Sequence, residues 1–225
     1  MAAPKTLKVL YHLHPDLDTL DFTGPLEILS HARYPDSSIP AFTATITAVE
    51  PTVTSNQKCI FNRHIPLSEA YTNLADYDVL VIPGGGVADP GGVLEKKIEP
   101  LGLIKAFTEQ PKRQDGSVRT ILSVCTGSMI LGEAGVLDGL SATTHPEYYK
   151  QFEELCATKG KTQVMKERFV VNKIDEGKGL RIITAGGVSC GLDASLWLIK
   201  EVAGQESTEK VAEIVQYAWR QGMVL

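Results

Sequence analysis

The sequence is poor in cysteine. Four residues, Cys59, Cys125, Cys156 and Cys190, stand far apart in a chain of 225. No two form a CxxC pair, which argues against a zinc site and against a disulfide framework. Charge of one sign is also scarce: 22 Lys and Arg against 27 Asp and Glu leave a net charge of -5. Without a basic cluster, the footprint of a nucleic-acid binder is missing. No apolar run is long enough to span a bilayer, and MAAPKTLKVLYHLHPD lacks the pattern of a signal peptide. Neither GxGxxG nor a Walker motif occurs, so no nucleotide cofactor is implied. The expectation is a cytoplasmic protein that handles a small molecule, with no cofactor, no metal, no membrane and no nucleic acid.

What remains is ordinary globular composition, with 43% hydrophobic residues. The length suits one α/β domain over residues 1–225. Thr6–His14 reads as a buried opening strand, with His12 and His14 as loop residues at its end. PLEILSHA after Gly24 reads as a helix with Pro25 in its first turn. AFTATITAVE alternates and is rich in β-branched residues, so it is a strand. NQKCIFNRHIPLSEA reads as a short strand and loop. YDVLVI is a strand that breaks into glycines, and VLEKKIEPLGLIKAFTEQ is a helix interrupted at Pro100 and Gly102. RTILSV is wholly apolar apart from its first residues and a serine, like a central parallel strand. GSMILGEAG and PEYYKQFEELCATKG read as helices around the short strand SATTH. RFVVNKID and GLRIITAGG read as two strands joined by a turn, and helices alone are expected after them. The alternation predicts a doubly wound, mostly parallel sheet with helices on both faces.

Ligands of such sheets bind at the carboxyl ends of the central strands. Three stretches belong there: LDFTGP, PGGG and CTG. Cys125 sits where a strand stops and a helix starts, with Ser123 and Gly127 as small flanking residues. This has the logic of a nucleophile elbow. A helix start favours the thiolate, the reactive form. A buried, inert cysteine reads the position equally well, and for Cys59, Cys156 and Cys190 the inert reading is preferred. Gly84, Gly85 and Gly86 offer backbone N–H groups to an oxyanion, or else only make a tight turn. Asp21 beside a thiol would hold its proton to a higher pH and could donate or shuttle it. Its competing reading is a cap or turn aspartate near Gly24-Pro25. Asp16 and Asp18 read as solvated loop residues.

LDFTGPLEIL, YDVLVIPGGGV, SVCTGSMILGEAGVLDGLSATTH and ITAGGVSCGLDASLWL together resemble the ThiJ/PfpI superfamily, and within it the isocyanide (isonitrile) hydratase branch. The resemblance implies a flavodoxin-like fold related to class I glutamine amidotransferases, usually in a homodimer. It implies that Cys125 is the nucleophile, Asp21 its carboxyl partner and Thr126 the threonine that follows the cysteine in hydratases. The Gly84-Gly85 region would supply amides near the thiol.

The implied chemistry is hydration of an isocyanide to a formamide. Glyoxalase or deglycase action on 2-oxoaldehydes competes, but those relatives commonly pair cysteine with glutamate. PfpI-type proteases place histidine where Thr126 stands. His145-Pro146-Glu147 comes too soon after Cys125 for the His-x-Glu pair of an amidotransferase. His145 is kept as a cleft-lining candidate, with a rim or structural histidine as the favoured alternative. A cysteine redox sensor or stress protein is the non-enzymatic reading. Trp197 and Trp219 read as core or interface residues on amphipathic helices.

Overall fold

The last residues before the first strand carry Lys5, and from there the computed structural model describes residues 5–225. The sheet begins with β1 (Leu7–Leu13), and α1 (Thr19–His31) leads to β2 (Phe42–Ala48). A hairpin of β3 (Thr52–Thr54) and β4 (Ile60–Asn62) follows, then β5 (Ile65–Pro66) and α2 (Leu67–Thr72). β6 (Val79–Ile82), α3 (Val93–Lys96), α4 (Leu101–Thr108), β7 (Arg119–Val124) and α5 (Gly127–Glu133) form the middle of the chain. β8 (Ser141–Ala142), α6 (Tyr149–Ala157) and β9 (Gln163–Val164) form a small annex. β10 (Phe169–Val171), β11 (Leu180–Ala185), α7 (Cys190–Ile214) and β12 (Met223–Val224) follow, their strands in the main sheet.

The main sheet has eight strands in the order β12-β10-β11-β7-β6-β1-β2-β5. Only the β10–β11 pair is antiparallel. The chain winds outward from β1 through β2 to β5, then returns to place β6 on the other side of β1. The strand order therefore reverses between β1 and β6, which opens a crevice at their carboxyl ends. Side chains alternate across the sheet. Val9, Tyr11 and Leu13 join the core under α1 and α7, whereas Leu10 joins the core under α4, α5 and α6. Helices on both faces explain why β6 and β7 are buried throughout. The expected doubly wound fold is the observed one.

Several local expectations are corrected. α1 starts at Thr19, not beyond Gly24, because Asp18 caps it: its side chain accepts from the Leu20 N–H. Pro25 lies inside the helix and cannot donate to the Asp21 carbonyl four residues back. Gly24 faces α7 so closely that a Cβ there would lie 3.0 Å from Leu192. Asp18 is thus a cap rather than a solvated loop residue. His12 lies within β1, whereas His14 follows it in a loop as expected, and both are buried. After β11 the chain does not remain helical. α7 turns at Gly204, where φ is 87°, and ends at Ile214. β12 then adds an edge strand, so Trp219 lies outside any helix, with its indole N–H donating to the Asp193 carbonyl.

Candidate active site

β7 delivers Cys125 to the centre of the sheet's carboxyl edge. The residue adopts φ 58°, a left-handed conformation that costs a non-glycine residue about 1–2 kcal/mol. Its surroundings force it there. The Cys125 N–H is shared between the carbonyls of Ala185 and Gly186, at 3.0 and 2.9 Å. Its own carbonyl accepts from the Ser128 hydroxyl at 3.0 Å and from the Thr144 hydroxyl at 3.2 Å. Gly127 lets α5 start against β6: a Cβ there would stand 2.4 Å from the Ile82 carbonyl oxygen. The side chain is turned into the crevice and is 7% exposed.

Asp21 comes from the first turn of α1 and is completely buried. It is not the helix cap, so the turn-aspartate reading fails. One carboxyl oxygen, Oδ2, accepts from the Gly84 N–H at 3.1 Å. The other, Oδ1, has no hydrogen-bond partner among the described residues. Burial, reinforced by Asp18, raises its proton affinity well above that of an ordinary aspartate, against the Gly84 N–H and the Cys125 thiol. The expected rise is therefore present.

The expected easy ionisation of the thiol is not. Burial pushes Cys125 up to about 12, and the Asp21 charge adds to it. The amides of Thr126 and Val188 and the Thr126 hydroxyl act in the opposite direction but are outweighed. Two acids that share one buried space cannot both be charged cheaply. A thiolate is accessible there when the remaining proton sits on Asp21, and Oδ1 is the free oxygen to carry it.

Gly84 and Gly85 do not offer spare donors, which corrects the oxyanion role expected of them. The Gly84 N–H serves Asp21, and the Gly85 N–H donates to Thr126 Oγ1 at 2.9 Å. Their glycines are required by proximity instead. A Cβ on Gly84 would lie 2.6 Å from the Thr126 nitrogen, and one on Gly85, where φ is 119°, would lie 2.4 Å from the Asp16 carbonyl oxygen. Thr126 in turn donates to the Gly85 carbonyl at 2.9 Å. The amides that face the sulfur are those of Thr126 and Val188. Val188 was not legible as a site residue: it acts through its backbone, held at φ 30°.

His145 is half-buried at the rim. Its ring lies over Gly187, where a Cβ would be 2.5 Å from Cδ2, and Tyr148 meets it edge-to-face at 6.1 Å. Its Nδ1 accepts from the Glu147 N–H at 3.4 Å. Cys156 and Cys190 are buried and Cys59 is exposed. Among the described residues no three His, Cys, Asp or Glu side chains are arranged to hold a metal ion. No described helix is long and apolar enough to cross a membrane.

The fold and this centre define a flavodoxin-like α/β protein with a strained cysteine at a strand-to-helix turn and a buried carboxyl beside it. The DJ-1/PfpI family model matches residues 7–189, and the chain belongs to that family. It is 28% identical over 220 residues to the isonitrile hydratase of Pseudomonas putida, across 94% of this chain and 79% of that protein. It is 30% identical to the HTH-type transcriptional regulator CdhR of Pseudomonas aeruginosa, across 78% of this chain but 52% of that protein. A THiJ/PfpI family protein from Pseudomonas syringae superposes with a TM-score of 0.73 at 23% identity, covering 97% of this chain and 78% of that one. The family thus holds an enzyme and a regulator on one fold, and the site has to decide between them.

Proposed function

We propose that the protein hydrates an isocyanide to an N-substituted formamide. The observation that supports this most is the Asp21–Cys125 pair: a buried carboxyl with one oxygen held by Gly84 and the other free to carry the thiol's proton. Sulfur bonds to the terminal isocyanide carbon as the thiol proton passes through Asp21 to that same carbon, which has the lone pair to receive it. The product is a thioimidate. Water adds to its C=N carbon and gives its protons to nitrogen and, through Asp21, to the departing sulfur. The C–S bond breaks and the formamide leaves with the thiol restored. The amides of Thr126 and Val188 face the sulfur and would steady charge as it develops there. A narrow, rod-like isocyanide end also suits a thiol that is 7% exposed.

Similarity to the Pseudomonas putida isonitrile hydratase supports the same substrate class. The resemblance further implies a homodimer of one-domain subunits acting in the cytoplasm, which sedimentation equilibrium across a dilution series would check for the dimer. The function is tested by assaying an isocyanide, methylglyoxal and glutamine with wild type and Cys125→Ser. Formamide should form from the isocyanide alone, and Cys125→Ser should abolish it. Turnover of methylglyoxal without the isocyanide would transfer the protein to 2-oxoaldehyde chemistry. No turnover, with ready peroxide oxidation of Cys125, would make it a sensor.

A further inference from the structure

His12 lies near the end of β1 and His14 just beyond it, and the proposed reaction uses neither. His14 is 1% exposed. Its Nδ1 lies 3.0 Å from the Pro15 carbonyl oxygen, a local contact to the next residue. Its Nε2 lies 3.0 Å from the Pro83 carbonyl oxygen, across the crevice where β1 and β6 end. A neutral imidazole has one N–H and can donate to only one of them. The Pro83 carbonyl and the Gly84 N–H are the two ends of one peptide group. That N–H is the donor to Asp21 Oδ2 at 3.1 Å. His14 and Asp21 therefore grip the same peptide from opposite sides.

We propose that His14 is a positioning residue for this centre: its Nε2–H donates to the Pro83 carbonyl, and so holds and polarises the Gly84 N–H that meets Asp21.

The peptide needs such a clamp. Pro83 fixes its own φ, but the plane of the peptide turns with Pro83 ψ and Gly84 φ, and glycine restrains φ less than any other residue. The Gly84 carbonyl, which accepts from the Asp18 N–H at 3.0 Å, anchors only the following peptide. Donation to a peptide carbonyl also strengthens the N–H at its other end, because hydrogen bonds in a chain polarise one another. That N–H favours the charged carboxylate. Loosening it raises the pH at which the Asp21–Cys125 pair gives up its first proton. The other ionisable groups facing Asp21 are Asp18 at the cap of α1 and Cys190 at the start of α7. Those facing His14 are His12 and Asp16. None of them is altered by the variants below.

The proposal rests on Asp21 serving Cys125, and the test separates the two. In a Cys59→Ser background, which removes the exposed thiol, the rate of Cys125 alkylation by iodoacetamide is followed against pH by mass spectrometry. His14→Leu should move the acid limb of the profile up by about one pH unit, tenfold in proton affinity. His14→Gln, which places an amide N–H near the former Nε2, should bring the limb back towards wild type. Asp21→Asn should displace the limb to the titration of the thiol alone and make it insensitive to His14→Leu. If Asp21→Asn leaves the limb where it was, the reading of Asp21 falls and the proposal with it. If Asp21→Asn displaces it and His14→Leu leaves it in place, or Leu and Gln displace it equally, His14 alone is refuted. Should His14→Leu fail to fold, ¹⁵N NMR of the wild-type histidine ring decides. A proton on Nε2 supports the assignment, and a neutral ring protonated only on Nδ1 overturns it.

Discussion

Asp21→Asn should make the protein more stable and nearly inactive. The carboxyl is completely buried and Oδ1 is without a hydrogen-bond partner among the described residues. A buried polar atom left unsatisfied costs about 1–3 kcal/mol. Asparagine keeps the Gly84 N–H bond through its oxygen, and its amide N–H can donate to the sulfur. At pH 7 the variant should therefore gain about 1–3 kcal/mol. At ~2–4 °C per kcal/mol for a chain of this size, Tm should rise by ~2–12 °C. The pH dependence follows from linkage. The folded state raises the proton affinity of Asp21, so the wild type is penalised progressively as pH climbs above the ordinary 3.8. The penalty is absent below that value, where Asp21 is protonated whether folded or unfolded. The gap between variant and wild type should widen as pH climbs above 3.8 and close at about pH 3. Turnover should fall at least about a hundredfold, the usual worth of general acid–base assistance. Asp18→Asn is the comparison: it keeps the cap, because asparagine caps a helix as well as aspartate, and removes only the charge that reinforces the rise at Asp21. Calorimetry at pH 7 and pH 3 beside a turnover assay covers both halves. An Asn variant that is less stable at pH 7, or whose advantage persists unchanged into acid, would refute the account of Asp21.

Gly127→Ala should cost at least about 2 kcal/mol in urea unfolding, since its Cβ would meet the Ile82 carbonyl oxygen at 2.4 Å and neither backbone can retreat. Loss of less than about 0.5 kcal/mol would show that α5 is seated more loosely. Arg168→Met should cost about 3–5 kcal/mol, because it strips the buried Asp193 of the guanidinium whose Nε donates at 2.7 Å. The Tyr217 hydroxyl and the Arg220 N–H would remain on Asp193, and a near-neutral result would mean that they suffice. In Cys59→Ser protein, Cys125 should be alkylated before Cys156 and Cys190, and faster as pH rises, because burial raises its thiol to about 12. A rate flat from pH 6 to pH 10 would contradict that raised thiol.

The alternation of apolar strands with amphipathic helices determined the doubly wound sheet, because a hydrophobic period is local and needs no partner to be read. It also placed Cys125, Asp21 and the Gly84-Gly85 turn at one edge, since chain order fixes which loops follow which parallel strands. The bounds of α1 were misread because Pro25 suggested a first turn, whereas Asp18 supplied the cap. β12 escaped because two residues carry no period, and only pairing with β10 makes them a strand. The chemistry of the centre was decided by tertiary structure. A helix start pointed to an easily ionised thiol, but burial and the carboxyl across the crevice reversed the sign. The glycine amides looked free until Asp21 and Thr126, distant in sequence, took them up. His14 is the loop residue it looked like, but its partner, the Pro83 carbonyl, was brought to its ring only by β6. Residue types and their order along the chain are written in the sequence, but desolvation and the sharing of donors depend on which distant groups arrive at the same place, and only the folded chain sets that.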